Sequence, residues 1–217
     1  DEVIVTEAEH HSNIVPWQMM CRRKGAVLKV LPVDDSGHLV IDALEDMITD
    51  RTRIMAVTHI SNVLGLINPV KDIVSLCHDR EVAVLVDGAQ GAVHCRVDVQ
   101  DIDCDFYVFS GHKIYAATGT GVLYGKKKWM EIIPPYMGGG EMVGTVTFAE
   151  TTYAPLPMQF EAGTQNSASA ATLKPALELV KILSNNNLIN YILWVKKNLL
   201  RPMQLYRPLR NTMCQSE

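Results

Sequence analysis

A lysine follows directly on a run of apolar residues, where its amine can become reactive. Lys113 closes the segment Ser110-Gly111-His112-Lys113, which comes after the largely apolar residues 105–109. An ammonium group at the end of a buried strand is costly, and the usual relief is a lowered pKa. A neutral lysine amine forms Schiff bases with aldehydes. A second apolar run, residues 82–86, leads into the carboxylate of Asp87. A lysine and an aspartate placed in this way predict a site for an aldehyde cofactor, pyridoxal phosphate (PLP).

The elements that must position these residues alternate between strand and helix patterns. Strands are predicted at residues 2–6, 26–33, 53–60, 82–86, 106–109 and 121–124, and helices at 14–22, 41–49, 69–80 and 167–184. Several strands are apolar almost throughout, as expected where both faces of a sheet are covered. The pattern predicts an α/β fold, a mostly parallel sheet with helices on both faces. Ligands of such sheets collect beyond the carboxyl ends of the strands, so the polar turns 59–62, 87–90 and 110–113 are expected to meet at one edge.

Composition narrows the classes of protein. The 217 residues are 47% hydrophobic with a net charge of −4, so neither a nucleic-acid partner nor a membrane is expected. Five cysteines without a C-x-x-C pair fit neither a disulfide framework nor a zinc site, and they predict a reducing, cytoplasmic location. The chain opens at Asp1 in a strand pattern, which predicts a piece of a longer protein. Residues 134–157, rich in Gly, Pro and Thr, are predicted to form a long loop.

Five segments, taken together and in this order, carry a resemblance to one family. They are Glu9-His10-His11-Ser12-Asn13-Ile14-Val15-Pro16-Trp17, His59-Ile60-Ser61-Asn62-Val63-Leu64-Gly65, Val86-Asp87-Gly88-Ala89-Gln90, Asp105-Phe106-Tyr107-Val108-Phe109-Ser110-Gly111-His112-Lys113 and Phe160-Glu161-Ala162-Gly163-Thr164. The set resembles the cysteine desulfurases of the SUF iron–sulfur assembly system, the group II NifS-like enzymes of the class V aminotransferase family. The resemblance runs from Asp1 to about Ile182.

The resemblance implies a truncated fold-type I PLP transferase that works as a cytoplasmic homodimer. Such enzymes remove sulfur from L-cysteine, leave L-alanine, and pass the sulfur as a persulfide to an acceptor protein for iron–sulfur cluster assembly. The resemblance also implies a role for each matching residue. Lys113 would attach the cofactor and move the substrate α-proton, Asp87 would pair with the pyridine nitrogen, and His10 would stack on the ring. Gln90 would contact the phenolic oxygen, Asn62 would lie near that oxygen or the substrate, Ser110 and His112 would hold the phosphate, and Thr164 would reach the phosphate of the other subunit.

Other segments depart from the family. The loop with the nucleophilic cysteine, the arginine for the substrate carboxylate and an upstream Gly-Thr-Thr turn have no counterpart here. Residues 1–184 are therefore predicted to form an incomplete PLP-binding large domain, with a divergent tail at 185–217 and little desulfurase activity for this chain alone. Ala116-Ala117 stands in place of a usual Gly-Pro and Gln165 in place of a usual proline. The first of these changes predicts a looser turn after Lys113.

Two alternatives stay open. One is a selenocysteine lyase or another enzyme of the same fold, and the other is a non-catalytic remnant that binds PLP or dimerises. A metal site built from His10, His11, His59 and Asp87 is disfavoured, because the spacing matches no ligand pattern and Lys113 would repel a cation. His11 and His59 are expected to have structural roles.

Overall fold

A six-stranded sheet organises the part of the chain that the structure describes. The computed structural model describes residues 1–185. The strands are β1 (Glu2–Thr6), β2 (Val27–Leu31), β3 (Thr52–Thr58), β4 (Ala83–Asp87), β5 (Phe106–Ser110) and β6 (Gly121–Gly125). Their order across the sheet is β2-β1-β3-β4-β5-β6. Strands β1 to β5 run parallel to one another, and β6 runs antiparallel to β5. The predicted mostly parallel α/β sheet is confirmed.

Helices lie between these strands and after the last of them. They are α1 (Val15–Lys24), α2 (Asp42–Met47), α3 (Val70–His78), α4 (Gly91–His94), α5 (Val99–Ile102), α6 (Lys127–Met130), α7 (Ser167–Ala171) and α8 (Leu173–Asn185). Short 3₁₀ helices lie at His11–Asn13, Gly111–Ile114 and Met158–Phe160. None of the helices within residues 1–185 is long and apolar enough to cross a membrane.

The core lies along the middle strands. All five residues of β1 are buried, including the side chains that point to opposite faces, so both faces of this strand are covered. Helix α3 contributes Val70, Ile73, Val74 and Cys77, a helical stripe that is wholly buried. Both outer strands, β2 and β6, are less protected than β1. The central strands therefore form a rigid base for the turns that follow them.

A buried carboxylate fixes the register of β5 against β4 at the end remote from these turns. Asp105, which has no exposed surface, accepts hydrogen bonds from Trp129 Nε1 (2.6 Å), His78 Nε2 (2.8 Å) and the Val84 backbone N–H (2.9 Å). Burial alone would raise the pKa of Asp105, but the bonds from Trp129 and His78 hold it below the ordinary value. Strand β5 begins opposite Leu85, two residues after the start of β4, and this register sets where each strand ends.

Two predicted elements differ from the structure. The predicted loop 134–157 contains an antiparallel hairpin, β7 (Val143–Val146) and β8 (Thr151–Tyr153). The predicted helix 167–184 is two helices that meet at Thr172, whose hydroxyl donates back to the Ser169 carbonyl at 2.6 Å. The predicted tail, 185–217, lies outside the described residues except for its first position.

Candidate active site

Four parallel strands deliver the predicted site residues to one edge of the sheet. Strands β1, β3, β4 and β5 all end there, since parallel strands place their carboxyl ends together. His10 follows β1, Asn62 follows β3, Asp87 ends β4 with Gln90 just beyond it, and Ser110, His112 and Lys113 end or follow β5. The predicted convergence of the turns at one edge is therefore observed.

Lys113 is half-buried and has no polar partner. It lies on the 3₁₀ helix Gly111–Ile114, which leaves β5 directly and packs against α4 and β6. Within the described residues, its amine makes no hydrogen bond and no ion pair. Lysines usually reach solvent or a carboxylate, so a half-buried lysine without either partner is available for chemistry.

The turn after Lys113 is tied to the last two helices. The Ala117 backbone N–H donates to the Thr172 hydroxyl at 2.9 Å, and that hydroxyl donates onward to the Ser169 carbonyl. A proline at position 117 would have no N–H to give. The looser turn predicted from Ala116-Ala117 is thus opposed by a hydrogen bond that only a non-proline residue can make.

Asp87 presents a mostly buried carboxylate near the lysine turn. Its side chain is 8% exposed, and Oδ1 accepts the Ala89 backbone N–H at 2.9 Å. Helix α4, which begins just after this turn, packs against the 3₁₀ helix of Lys113. No described basic side chain forms an ion pair with Asp87. Its charge therefore remains available to a cationic group of a ligand.

A tyrosine and a histidine pack against the turn that follows Asp87. The Tyr107 hydroxyl lies 3.0 Å from His59 Nδ1, and both side chains are buried. Burial lowers the pKa of His59 and raises that of Tyr107, so both groups stay neutral. Gly88 and Gly91 give this pair its space, because a Cβ on Gly88 would lie 1.9 Å from the Tyr107 ring. His59 is thus buried and hydrogen-bonded, as the structural role expected of it would require.

The remaining predicted residues differ in exposure. His10 is exposed, and its Nδ1 accepts the Ser12 backbone N–H at 3.2 Å. Ser110 and Gln90 are half-buried, whereas His112 and Asn62 are exposed. Thr164 is exposed and does not belong to the strand-end group, since it follows the 3₁₀ helix Met158–Phe160.

Sequence reasoning assigned no role to Glu9, Thr172 or Tyr107. Glu9 and Tyr107 lie within the segments that carry the resemblance. Their residue types alone do not predict the buried, hydrogen-bonded positions that the structure gives them. Glu9 is buried although it is an acid, and Tyr107 is a strand residue like its apolar neighbours. Two cavities, of about 290 and 510 Å³, are lined by residues other than the predicted site residues.

These side chains fit PLP by the chemistry of their functional groups. The cofactor needs an amine for its aldehyde, an acid for its ring nitrogen and hydrogen-bond donors for its phosphate. Lys113 supplies the amine without a described polar partner, Asp87 supplies the acid without an ion pair, and Ser110 and His112 can donate to a phosphate. The sheet topology and this donor set define a fold-type I PLP transferase domain.

Comparison with known proteins agrees with this class. The family model for aminotransferase class-V matches residues 1–216. A cysteine desulfurase of Cronobacter sakazakii is 49% identical over 205 residues, covering 94% of this chain and 50% of the relative. The crystal structure of the cysteine desulfurase CsdA (S-sulfonic acid) from Escherichia coli superposes with a TM-score of 0.81 and 45% identity, covering 83% of this chain and 45% of CsdA.

A third relative shows the cofactor. A lysine-to-alanine mutant of C-DES, with glycine covalently linked to its PLP, has a TM-score of 0.73 and 27% identity. It covers 83% of this chain, and this chain covers 49% of it. The chain belongs to the aminotransferase class-V family, whose enzymes depend on PLP, and the predicted family and cofactor class are confirmed. It spans about half the length of the curated relatives that it matches.

Proposed function

We propose that residues 1–184 form the PLP-binding large domain of a cysteine desulfurase that acts on L-cysteine. The observation that carries this proposal is Lys113, an amine without a described polar partner, at the same sheet edge as the buried carboxylate of Asp87. The choice of substrate is supported by relatives that are named cysteine desulfurases at 48–49% identity.

In this proposal each side chain around the PLP ring has a separate role. PLP, when bound, supplies an electron sink for the electrons released at the substrate α-carbon. Asp87 holds the proton on the ring nitrogen, because a carboxylate favours a nearby cation. Lys113 attaches the cofactor, and its freed Nζ then moves the proton at the α-carbon. His10 covers one face of the ring.

Other residues hold the periphery of the cofactor. Ser110 and His112 donate to the phosphate from the turn that carries Lys113. Gln90 contacts the phenolic oxygen, and Asn62 lies near that oxygen or the substrate. Thr164, which stands apart from the strand ends, reaches the phosphate of a second subunit.

Sulfur removal also needs a thiolate nucleophile, and the described cysteines are poorly suited to that role. Cys77 and Cys104 are buried, and burial raises their pKa to about 12 and about 11. Burial also raises the pKa of Cys95. Because the thiolate is the reactive form, we propose that this chain alone forms little alanine from cysteine. Cys214 lies outside the described residues.

The proposal extends to assembly and partners. The region around the β7–β8 hairpin exposes large apolar side chains, including Tyr136, which is 93% exposed, and Phe148, which is fully exposed. Exposed apolar surface of this kind favours a homodimer. The four described cysteines are unpaired, which supports a cytoplasmic enzyme. A sulfur-acceptor protein for iron–sulfur cluster assembly completes the proposal.

Cofactor capture tests the proposal directly. The purified chain is incubated with PLP, its visible absorbance is recorded, and borohydride reduction followed by peptide mapping locates the attachment. We expect a single label on Lys113, and none in Lys113→Ala. Lys127→Ala is the control, because Lys127 is an exposed lysine on α6 and should leave labelling unchanged.

Each other result has a definite meaning. A label on a different lysine, or none in a well-folded sample, overturns the assignment of the site and favours the non-catalytic remnant. Alanine formation from cysteine by the unmodified chain refutes the predicted lack of a nucleophile. Faster turnover of selenocysteine than of cysteine, in a protein extended to the length of the curated relatives, favours a selenocysteine lyase.

A further inference from the structure

Glu9 binds three separate elements through one buried carboxylate. It stands between β1 and the 3₁₀ helix His11–Asn13, next to His10, and is 8% exposed. Its Oε1 accepts the Thr6 hydroxyl at 2.6 Å and the Thr58 backbone N–H at 2.8 Å, and its Oε2 accepts the Asn13 amide at 2.6 Å. The end of β1, the end of β3 and the turn that contains His10 are thereby joined.

All three partners of Glu9 donate hydrogen bonds to it, and the Thr58 and Asn13 groups cannot take the opposite role. The Thr58 group is a backbone N–H. The Asn13 amide is held by Trp17, whose indole Nε1–H donates to Asn13 Oδ1 at 3.1 Å. An indole can only donate, so the Asn13 oxygen faces Trp17 and the Asn13 nitrogen faces Glu9. Position 9 therefore requires an acceptor at both of its terminal atoms, which a glutamate supplies and a glutamine does not.

The geometry of His10 depends on the same turn. His10 caps the 3₁₀ helix: its Nδ1 accepts the Ser12 N–H, and its carbonyl accepts the Asn13 N–H at 2.8 Å. The turn packs against β3, one of the strands that end at the proposed cofactor site. A shift of Asn13 would consequently move the backbone that orients the imidazole.

We propose that Glu9 is a positioning residue that fixes, through Asn13, the turn carrying His10 over the cofactor. This inference rests on the proposed function, since it takes His10 to lie against the PLP ring. Burial raises the pKa of Glu9 to about 7, and the carboxylate of Asp87 adds to that shift, so its three donors act against a substantial desolvation cost.

An exchange of acid and amide tests the proposal. In Glu9→Gln, the new NH₂ group faces the Asn13 NH₂ group, and we expect the dissociation constant for PLP to rise about tenfold, as a mismatched buried donor implies. In Asn13→Asp, two carboxylates face each other, and we expect a larger loss. In the double variant Glu9→Gln/Asn13→Asp, the new amide at position 9 can donate to the new carboxylate at position 13, whose other oxygen accepts the Trp17 indole. We expect the affinity of this double variant to lie within about threefold of the parent.

The measurement is the visible absorbance of PLP titrated into each variant at about pH 8.5, where Glu9 in the parent is ionised. A His10→Ala background separates positioning from general stability. If Glu9 acts through His10, Glu9→Gln has no further effect on PLP affinity in that background. Thermal unfolding of each apo variant shows that it is folded before titration.

The outcomes are distinct. Affinity that falls in Glu9→Gln, returns in the double variant and does not change further in the His10→Ala background supports the proposal. Unchanged affinity in Glu9→Gln, no return in the double variant, or an equal loss with and without His10 overturns it while leaving the proposed function intact. No PLP binding by the unmodified chain overturns the proposed function, and this inference with it.

Discussion

Replacement of Gly88 by alanine should displace the carboxylate proposed to bind the ring nitrogen of PLP. A Cβ at this position would lie 1.9 Å from Cε1, 2.2 Å from Cζ and 2.5 Å from the hydroxyl oxygen of Tyr107. The ring cannot retreat easily, because its hydroxyl is bonded to His59 and its neighbours are core residues. The backbone of the turn must move instead, and Asp87 is the adjacent residue.

The size of the effect follows from the overlap. Overpacking of a close-packed interior costs about 1–3 kcal/mol, and an approach below 2 Å to a ring held by a hydrogen bond belongs at the upper end. We expect Gly88→Ala to lower the free energy of unfolding by about 3 kcal/mol. Gly138→Ala is the matched control, since nothing lies within 4 Å of its Cβ. That substitution should change stability by no more than about 1 kcal/mol, and in the stabilising direction.

Urea unfolding of both variants, followed by circular dichroism, gives the stability difference, and PLP titration gives the effect on the site. We expect Gly88→Ala to lose cofactor affinity as well as stability, while Gly138→Ala loses neither. If the two variants unfold within about 0.5 kcal/mol of each other, the turn can absorb a methyl group and the reasoning is refuted. A loss of stability with normal PLP affinity would show that Asp87 does not follow the movement of Gly88.

Three further predictions concern other contacts. Thr172→Val removes the acceptor of the Ala117 N–H and should cost about 1 kcal/mol in urea unfolding, but much less in an Ala117→Pro background, where that donor is already absent. Glu9 has a folded-state pKa of about 7 against an ordinary 4.5, so its contribution to stability is full below pH 4.5 and is lost as the pH rises through 7; thermal melts of Glu9→Gln should lack this step. Glu2 has the opposite shift, to about 2, chiefly because of the Lys29 ammonium, so its contribution is present above pH 4.5 and is lost as the pH falls through 2. Acid titration of Glu2→Gln, compared with the parent, should show a smaller loss of stability over that range.

The sheet could be predicted from the sequence because buried parallel strands leave continuous apolar runs. Residues 82–86 and 106–109 are such runs, and the structure has strands at Ala83–Asp87 and Phe106–Ser110. The four-residue helices Gly91–His94 and Val99–Ile102 were missed, since one turn of helix is too short to show a period. The break near Thr172 had a signal: Pro175 lies in the first turn of α8, where its missing N–H costs nothing.

The sequence predicts those site residues whose positions depend only on where a strand ends. Asp87 and Lys113 each follow an apolar run, so their meeting at one edge follows from parallel topology. Glu9 could not be predicted in the same way, because an acid after a strand is usually solvated. Its burial depends on Thr58, which is 49 residues away in the chain and contributes a backbone donor. No local pattern encodes that contact.

The availability of Lys113 is likewise a property of the whole fold. The 3₁₀ helix that carries Lys113 contacts α4, β6 and α8, three elements that lie far apart in the sequence. Asp105, the buried acid that precedes β5, attracts the nearby cations Lys126 and Lys128 at the opposite end of that strand. Those two lysines lie at the start of β5 with Asp105, whereas Lys113 lies beyond the other end of β5, and Asp87 ends the neighbouring strand β4. Lys113, half-buried and without a described polar partner, lies at the sheet edge that we propose binds PLP.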